Sequence, residues 1–149
     1  MITLTIPGIP IAKKRPRFAR RGKFVVTYND QGTEEGRFLF EAQRQWRREP
    51  LKEPLIVECS FFMPIPKGTS KKKILAMLAG TEKHTKKPDA SNLIKFIEDC
   101  LNGFVWKDDS QIFRIVGEKF FSESPRTLIQ IKEVDHESSQ RPGESLHPV

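Results

Sequence analysis

The chain has 149 residues, of which 37% are hydrophobic, and this length and composition predict one domain with a single modest core. Its formal charge of +7 favours an anionic partner such as nucleic acid. No apolar run approaches the roughly 20 residues that cross a bilayer, and the N-terminal charges follow the apolar stretch instead of preceding it, so we expect a soluble, cytoplasmic protein with no membrane partner.

The first half of the chain predicts three strands and a helix around a basic loop. Alternation predicts an opening strand at Ile2–Ile6, which ends at a Pro-Gly turn. The segment Lys13–Lys23 carries seven positive residues and no acid, and it is either a solvated charge run or a binding loop held by the scaffold. A strand at Phe24–Tyr28, a helix at Glu34–Arg48 and a strand at Leu55–Met63 follow.

The second half begins with another basic stretch, in which seven lysines stand against one acid between Lys67 and Lys87. The remaining predicted elements are a short helix at Ser70–Ala79, a helix from Asp89 or Ser91 to Leu101, and a hairpin of Gln111–Phe121 with Thr127–Glu133. We therefore place one domain at residues 1–133 and a disordered polar tail at 134–149. The tail holds three acids and one base, so its net charge is −2 and that of the remaining residues is +9.

Metal chemistry in this chain would have to be carboxylate chemistry. Cys59 and Cys100 stand singly, so buried free thiols are expected instead of a disulfide or a zinc site, and two of the three histidines lie in the tail. Oxygen ligands favour magnesium or manganese.

Four aspartates lie close together in the segment KPDASNLIKFIEDCLNGFVWKDDSQI, namely Asp89, Asp99, Asp108 and Asp109. Clustered carboxylates would repel a polyanionic substrate unless a divalent cation sits between them. Phosphodiester hydrolysis needs such an ion to activate water and to neutralise developing charge. The acids therefore indicate a metal, and the bases indicate a nucleic acid.

Each of these residues also has an ordinary interpretation. Asp89 could simply cap a helix, the Asp108-Asp109 pair could be a polar turn, Asp99 could pair with Lys95, and Lys95 could be a solvated helix residue. Their order favours more: the turn after the helix could return Asp109 to Asp89, with Lys95 placed to neutralise a phosphate oxygen.

The string KPD-x-x-NL-x-K-x-x-x-D-x-LNG-x-x-x-x-DDSQI closely resembles the RusA family of Holliday junction endodeoxyribonucleases, and PGIPIAKKRPRF resembles that family's N-terminal basic segment. The resemblance covers about residues 2–133. It implies an α+β fold, a two-layer sandwich in which helices pack on one side of a mixed or antiparallel sheet. It also implies a homodimer that nicks branched DNA with Mg²⁺ or Mn²⁺ and no organic cofactor.

Carried over by position, the resemblance implies catalytic roles for Asp89, Lys95, Asp108 and Asp109, and a metal site built from Asp89, Asp109, Asp108 and Ser91. Ser91 departs from the family pattern PD-x-D-N, in which its position is acidic. The protein is then either active with weaker metal affinity or a junction-binding protein that does not cut, and Glu98 or Asp99 could compensate. We favour an active nuclease.

The two basic stretches are the candidates for phosphate contacts, which would bring strong salt dependence and little sequence information. The residues expected to bind DNA are Lys13, Lys14, Arg15, Arg17, Arg20, Arg21, Lys71, Lys72, Lys86 and Lys87. A plain RNA-binding protein, in which the acids are caps and turns, is the remaining alternative.

Overall fold

The structure is a computed structural model that describes residues 1–14, 17–22, 24–28 and 31–135, with the backbone alone at 17–21 and 24–28. The strands in these ranges are β1 (Ile2–Pro7), β2 (Arg17–Arg21), β3 (Phe24–Tyr28), β4 (Leu55–Pro64), β5 (Ile112–Ser122) and β6 (Arg126–Glu133). The α-helices are α1 (Gly32–Gln45), α2 (Lys71–Ala79) and α3 (Ala90–Leu101). The domain boundary at residue 133 stays a prediction, since residues 136–149 lie outside the described ranges.

Four strands form a mixed sheet in the order β1-β6-β4-β5. The central strand β4 pairs in parallel with β5 and antiparallel with β6, which pairs antiparallel with β1. Alternate side chains of β4 are buried, as its sequence pattern predicts. The helices complete the core, and the ring of Phe38 on α1 meets that of Phe96 on α3 edge-on at 5.5 Å. The predicted α+β fold with a mixed sheet is confirmed.

The predicted hairpin of the last two strands is wrong. β5 and β6 follow each other closely in the sequence, but β4 lies between them in the sheet. Pro64 at the end of β4 pairs with Ser122, and Phe62 pairs with Arg126, so the short connection passes the end of β4. β5 instead completes a parallel crossover from β4 through α2 and α3, and this crossover lays α3 against the sheet.

The basic segment predicted as a loop is partly a strand. Arg17–Arg21 forms β2 and pairs antiparallel with β3 from Arg17↔Tyr28 to Arg21↔Phe24. These two strands form a separate two-stranded sheet. Arg15, which we expected to bind DNA, lies outside the described residues.

Helix α1 ends at Gln45, three residues before its predicted end. Trp46 adopts an extended backbone and is buried, so the chain leaves the helix there to bury the indole. The side chain of Gln45 then accepts a hydrogen bond from the Thr5 amide at 2.8 Å and donates one to the Thr5 carbonyl at 2.7 Å. In this way α1 satisfies the backbone of the edge strand β1.

Helix α3 has the extent that its sequence predicts. Four residues expected on its apolar face, Leu93, Ile97, Cys100 and Leu101, are buried, and Phe96 is buried with them. The fifth, Ile94, is partly buried. Ile94 packs over Gly117 of β5, where an added Cβ would lie 2.6 Å from Ile94 Cδ1. A side chain at position 117 would therefore push the helix away from the sheet.

Candidate functional site

Asp89 occupies the N-cap position of α3, but its side chain makes no capping hydrogen bond to the helix backbone. Its carboxylate accepts a hydrogen bond from Ser91 Oγ at 2.7 Å and another from Asn92 Nδ2 at 3.0 Å. The Ser91 hydroxyl is the main reason why the pKa of Asp89 lies below its ordinary value. The result is an exposed, oriented carboxylate whose negative charge is not neutralised by these donors.

The segment before Asp89 is held by a lysine that sequence reasoning missed. Lys119 Nζ, from β5, donates to the carbonyl oxygens of Lys86 and Pro88, each at 2.9 Å. These contacts bridge more than thirty residues of sequence and fix the backbone next to the carboxylate. No local pattern signals them, because they depend on where β5 lies in the sheet.

Asp109 begins a short 3-10 turn, Asp109–Gln111, and Asp108 is its N-cap residue. Asp108 accepts a hydrogen bond from the Ser110 amide at 2.9 Å, and this bond lowers its pKa. Gln111 Oε1 accepts from the Asp108 amide, so Asp108 caps the turn in the way that the alternative interpretation of the pair foresees. Its proposed catalytic and metal-binding roles stay predictions.

Asp109 is half-buried. Its Oδ1 accepts a hydrogen bond from the indole of Trp106 at 2.7 Å, and its amide donates to Asn102 Oδ1 at 3.2 Å. Since Trp106 is buried and Asn102 is the C-cap of α3, these bonds place Asp109 at the C-terminal end of that helix.

Glu98 joins Asp109 at this end of α3. Burial raises the pKa of Glu98, and the negative charges of Asp109 and Asp99 raise it further. The ionised form of Glu98 is therefore less favoured than that of a free glutamate, and a cation at this position would relieve the repulsion. Of the two acids named as substitutes for the missing carboxylate at position 91, Glu98 lies beside a proposed ligand.

The expectation that one chain gathers Asp89 and Asp109 into a shared pocket is wrong. The two residues lie at opposite ends of α3, whose 12 residues span about 18 Å. The turn after the helix keeps the chain at the C-terminal end, because Trp106 is buried there. Among the described residues, no three His, Cys, Asp or Glu side chains form a group that could hold a metal ion.

An exposed side of α3 connects the two ends. Ser91, Lys95, Glu98 and Asn102 follow one another at helical spacing along it, with Lys95 near the middle. Asp99 does not pair with Lys95 as the alternative proposed, but forms an ion pair with Lys13 at 3.0 Å. Hydrogen bonding to Asp99 is the main cause of the raised pKa of Lys13.

The expected DNA-binding residues differ in their surroundings. Lys13 and Lys14 form ion pairs with acids, Lys14 with Glu34 at 3.1 Å, so their charge is partly compensated. The lysines of the second basic stretch, Lys71, Lys72, Lys86 and Lys87, are exposed. Arg17, Arg20 and Arg21 lie along β2, where the backbone alone is described.

Gln31 is a second residue that sequence reasoning missed. Its buried side chain accepts from the Lys14 amide and donates to the Ala12 carbonyl, both at 2.8 Å. It thereby fixes the start of the N-terminal basic segment next to α1.

Comparison with known proteins agrees with the sequence pattern. The family model for endodeoxyribonuclease RusA matches residues 7–132. This chain belongs to the RusA family. The family is that of Holliday-junction-resolving endodeoxyribonucleases, and the match includes α3, both of its acidic ends and all of the sheet except most of β1 and the last residue of β6.

A relative of similar length is also found in Bacillus subtilis (strain 168). The chain is 34% identical over 137 residues to its uncharacterized protein YqaN, and the alignment covers 89% of this chain and 96% of YqaN.

Within the described residues no helix is both long and apolar enough to span a membrane. Cys59 and Cys100 are buried free thiols, as predicted.

Proposed function

We propose that this RusA-family chain is a divalent-metal-dependent endodeoxyribonuclease that makes paired nicks in four-way DNA junctions as a homodimer. The observation that carries the proposal is the pair of oriented carboxylates, Asp89 and Asp109, at the two ends of one exposed helix face.

The donors at both ends suit Mg²⁺ or Mn²⁺. These ions take oxygen ligands and are commonly held by one or two carboxylates together with water and substrate phosphate. Asp89 is oriented by neutral donors, and Asp109 Oδ2 accepts no hydrogen bond from the described residues. A bound ion would supply an acidified water and neutralise charge on the phosphate.

The length of α3 is the argument for two chains in each site. A carboxylate about 18 Å away cannot share an ion, since Mg²⁺–oxygen distances are about 2.1 Å. If two copies place their α3 helices antiparallel about a two-fold axis near Lys95, Asp89 of one copy comes beside Asp109 and Glu98 of the other. The two resulting sites would match the approximate two-fold symmetry of a four-way junction.

Lys95 has a role in this arrangement that needs no contact with a carboxylate of its own chain. It is exposed midway between the acidic ends of α3. Its ammonium group would neutralise a phosphate oxygen of the strand that lies between them.

Ser91 supports a second candidate function, a RusA-like protein that binds junctions with little or no cleavage. Its hydroxyl donates to Asp89, so it orients the first ligand but adds no negative charge. We place this candidate second, because Glu98 brings a further carboxylate to Asp109.

Heterodimers of two inactive variants test the proposal. Asp89→Asn and Asp109→Asn should each reduce magnesium-dependent nicking of a labelled junction by at least about a hundredfold, while junction binding in chelator persists. If the sites are shared between chains, a purified heterodimer of the two variants has one intact site. It should nick one strand without resolving the junction.

The outcomes separate the parts of the proposal. Recovery of single nicks by the heterodimer supports shared sites, whereas an inactive heterodimer with an active wild type rejects them. Wild-type protein that binds junctions but does not nick them with Mg²⁺ or Mn²⁺ would establish the second candidate.

A further inference from the structure

A cleft of about 330 Å³ lies between the N-terminal turn of α2 and the segment 82–86, apart from the carboxylates of α3. Its rim carries four lysines, Lys67, Lys73, Lys83 and Lys86, against one acid, Glu82. Glu82 faces Lys73 at 3.9 Å, so it offsets at most one of these charges. The cleft is therefore strongly cationic.

His84 lines the cleft and is partly buried. Its Nδ1 is closed off from solvent, so a group bound in the cleft meets other atoms of the ring. The ring therefore reports on a charge that binds in the cleft. Burial is the main cause of the lowered pKa of His84, and Lys119 and Lys86 lower it further.

The other wall of the cleft is apolar. Met77 is buried, and the ring of Phe121 lies 5.0 Å from that of His84. The cationic rim suits a phosphate group, and the wall of aromatic and thioether side chains suits a sugar or a base. The volume of the cleft lies at the lower end of the range for ligand-binding pockets.

We infer that this cleft binds a phosphate group, that of one nucleotide unit in a DNA strand. Lysines of the rim contact the phosphate oxygens, and the His84 ring lies in the wall beside them. Binding of phosphate as such is independent of the proposed nuclease function, whereas the DNA strand as its source rests on that function.

The position of the cleft allows a DNA strand bound there to continue to the carboxylate of Asp89. His84 precedes Asp89 by five residues, so the two are separated by no more than about 17 Å of extended chain. The segment between them carries the exposed Lys86 and Lys87 and is fixed by Lys119. A phosphate in the cleft would thus hold the strand a few nucleotides from the point of cleavage.

Histidine NMR tests the site with inorganic phosphate as the probe. The chain has three histidines, and His136 and His147 in the tail serve as internal references. We expect phosphate to shift the His84 ring resonances saturably and to raise the pH midpoint of its titration, while the tail histidines stay unchanged. No shift, or equal unsaturable shifts of all three, would reject the site and leave an adventitious ion only.

Lys67→Ala/Lys83→Ala removes two exposed rim lysines that make no ion pair with the described residues. Lys52→Ala/Lys132→Ala is the matched control, because it removes the same charge from two exposed positions at the opposite end of β4. The first pair should weaken phosphate binding at His84 by at least about tenfold, and the control should not.

The source of the phosphate is tested by junction binding in chelator, where cleavage plays no part. The slope of log affinity against log salt should fall by about two for the cleft variant and remain unchanged for the control. Phosphate binding with an unchanged slope would overturn the assignment to DNA, and equal losses in both variants would overturn the cleft as a distinct site. Neither measurement depends on whether the wild type nicks DNA.

Discussion

The carboxylate of Asp89 is oriented by a hydroxyl and an amide, without a cation from its own chain. Such donors stabilise the ionised form and leave the charge available to a metal. Because the pKa of Asp89 is lowered on folding, its hydrogen bonds contribute stability above the unfolded pKa, and this contribution is lost as the pH falls through the folded value.

Replacing Ser91 tests whether the missing carboxylate limits metal binding. Ser91→Asp puts a second negative charge beside Asp89, which should raise Mn²⁺ affinity on the order of tenfold and lower the melting temperature of the metal-free protein. Ser91→Ala, which removes the hydrogen bond without adding charge, is the control. Calorimetric titration that finds the same Mn²⁺ affinity in both variants would contradict this expectation.

Lys119 is expected to act as a positioning residue for Asp89. Lys119→Met removes two hydrogen bonds from a charged donor, so the free energy of unfolding should fall by about 2 kcal/mol and Mn²⁺ affinity roughly tenfold. Lys119→Arg keeps hydrogen-bond donors at this position, so it should retain most of the stability and most of the Mn²⁺ affinity. Urea unfolding and Mn²⁺ titration provide the measurements, and equal behaviour of the two variants would argue against positioning.

At this scale the sequence identified residues in a local motif and missed those whose contacts are distant. The N-terminal position of Asp89 on its helix follows from the residues around it. The role of Lys119 does not, because its contacts depend on the pairing of Lys119 with Phe61 of β4.

Among the elements, α3 and β5 come closest at Gly117. The absence of a side chain lets Ile94 approach the strand, and Phe61 lies 3.3 Å from the position of an added Cβ. Close contact here sets the height of α3 above the sheet and so the place of both acidic ends.

Gly117→Ala should lower the free energy of unfolding by about 1–3 kcal/mol, because the new methyl group overpacks this contact. Adding Ile94→Val, which removes the Cδ1 atom at 2.6 Å, should restore part of the loss. Gly36→Ala in α1, where no atom lies within 4 Å, is the control and should stabilise by about 0.5–1 kcal/mol. Urea unfolding that shows no difference between the two alanine variants would disprove the close contact.

Element positions were predictable from the sequence, but the partners of the strands were not. The strand at residues 112–122 was found from its composition, yet its pairing with β4 instead of β6 is set by the α3 crossover. The same limit explains the basic segment: Arg17–Arg21 has a strand's backbone because it pairs with β3, not because of its own charged residues.

For the whole molecule, the buried thiols predict sensitivity to alkaline pH. Burial raises the pKa of both Cys59 and Cys100 to about 12. These folded values exceed the unfolded value of about 8.5, so the unfolded chain loses its thiol protons first. Stability is fully present below the unfolded pKa and is lost as the pH rises through the folded one.

Between about pH 9 and 12 the free energy of unfolding should fall as the pH rises, by up to about 1.4 kcal/mol per pH unit for Cys59 and by less for the more exposed Cys100. Urea unfolding of the wild type and of Cys59→Ala/Cys100→Ala across this pH range measures the effect. The free energy of unfolding should fall less steeply with pH in the variant. Identical slopes, or rapid labelling of the native thiols at pH 8, would show that the thiols are not protected.

The distribution of acids over the molecule was the least predictable feature. Asp89 and Asp109 belong to one motif in the sequence, but one helix and a buried Trp106 hold them apart in space. Closeness of two acids in the sequence therefore does not show whether one chain or two would supply the carboxylates of the proposed metal site.

The side-chain amide of Gln45 has a consequence for how copies of this protein can associate. It occupies the backbone donor and acceptor of Thr5 on β1, one of the two edge strands of the four-stranded sheet, as a neighbouring strand would. An incoming strand could not pair there without displacing it. Growth into a continuous intermolecular sheet, and with it fibril formation from this border, is thereby opposed.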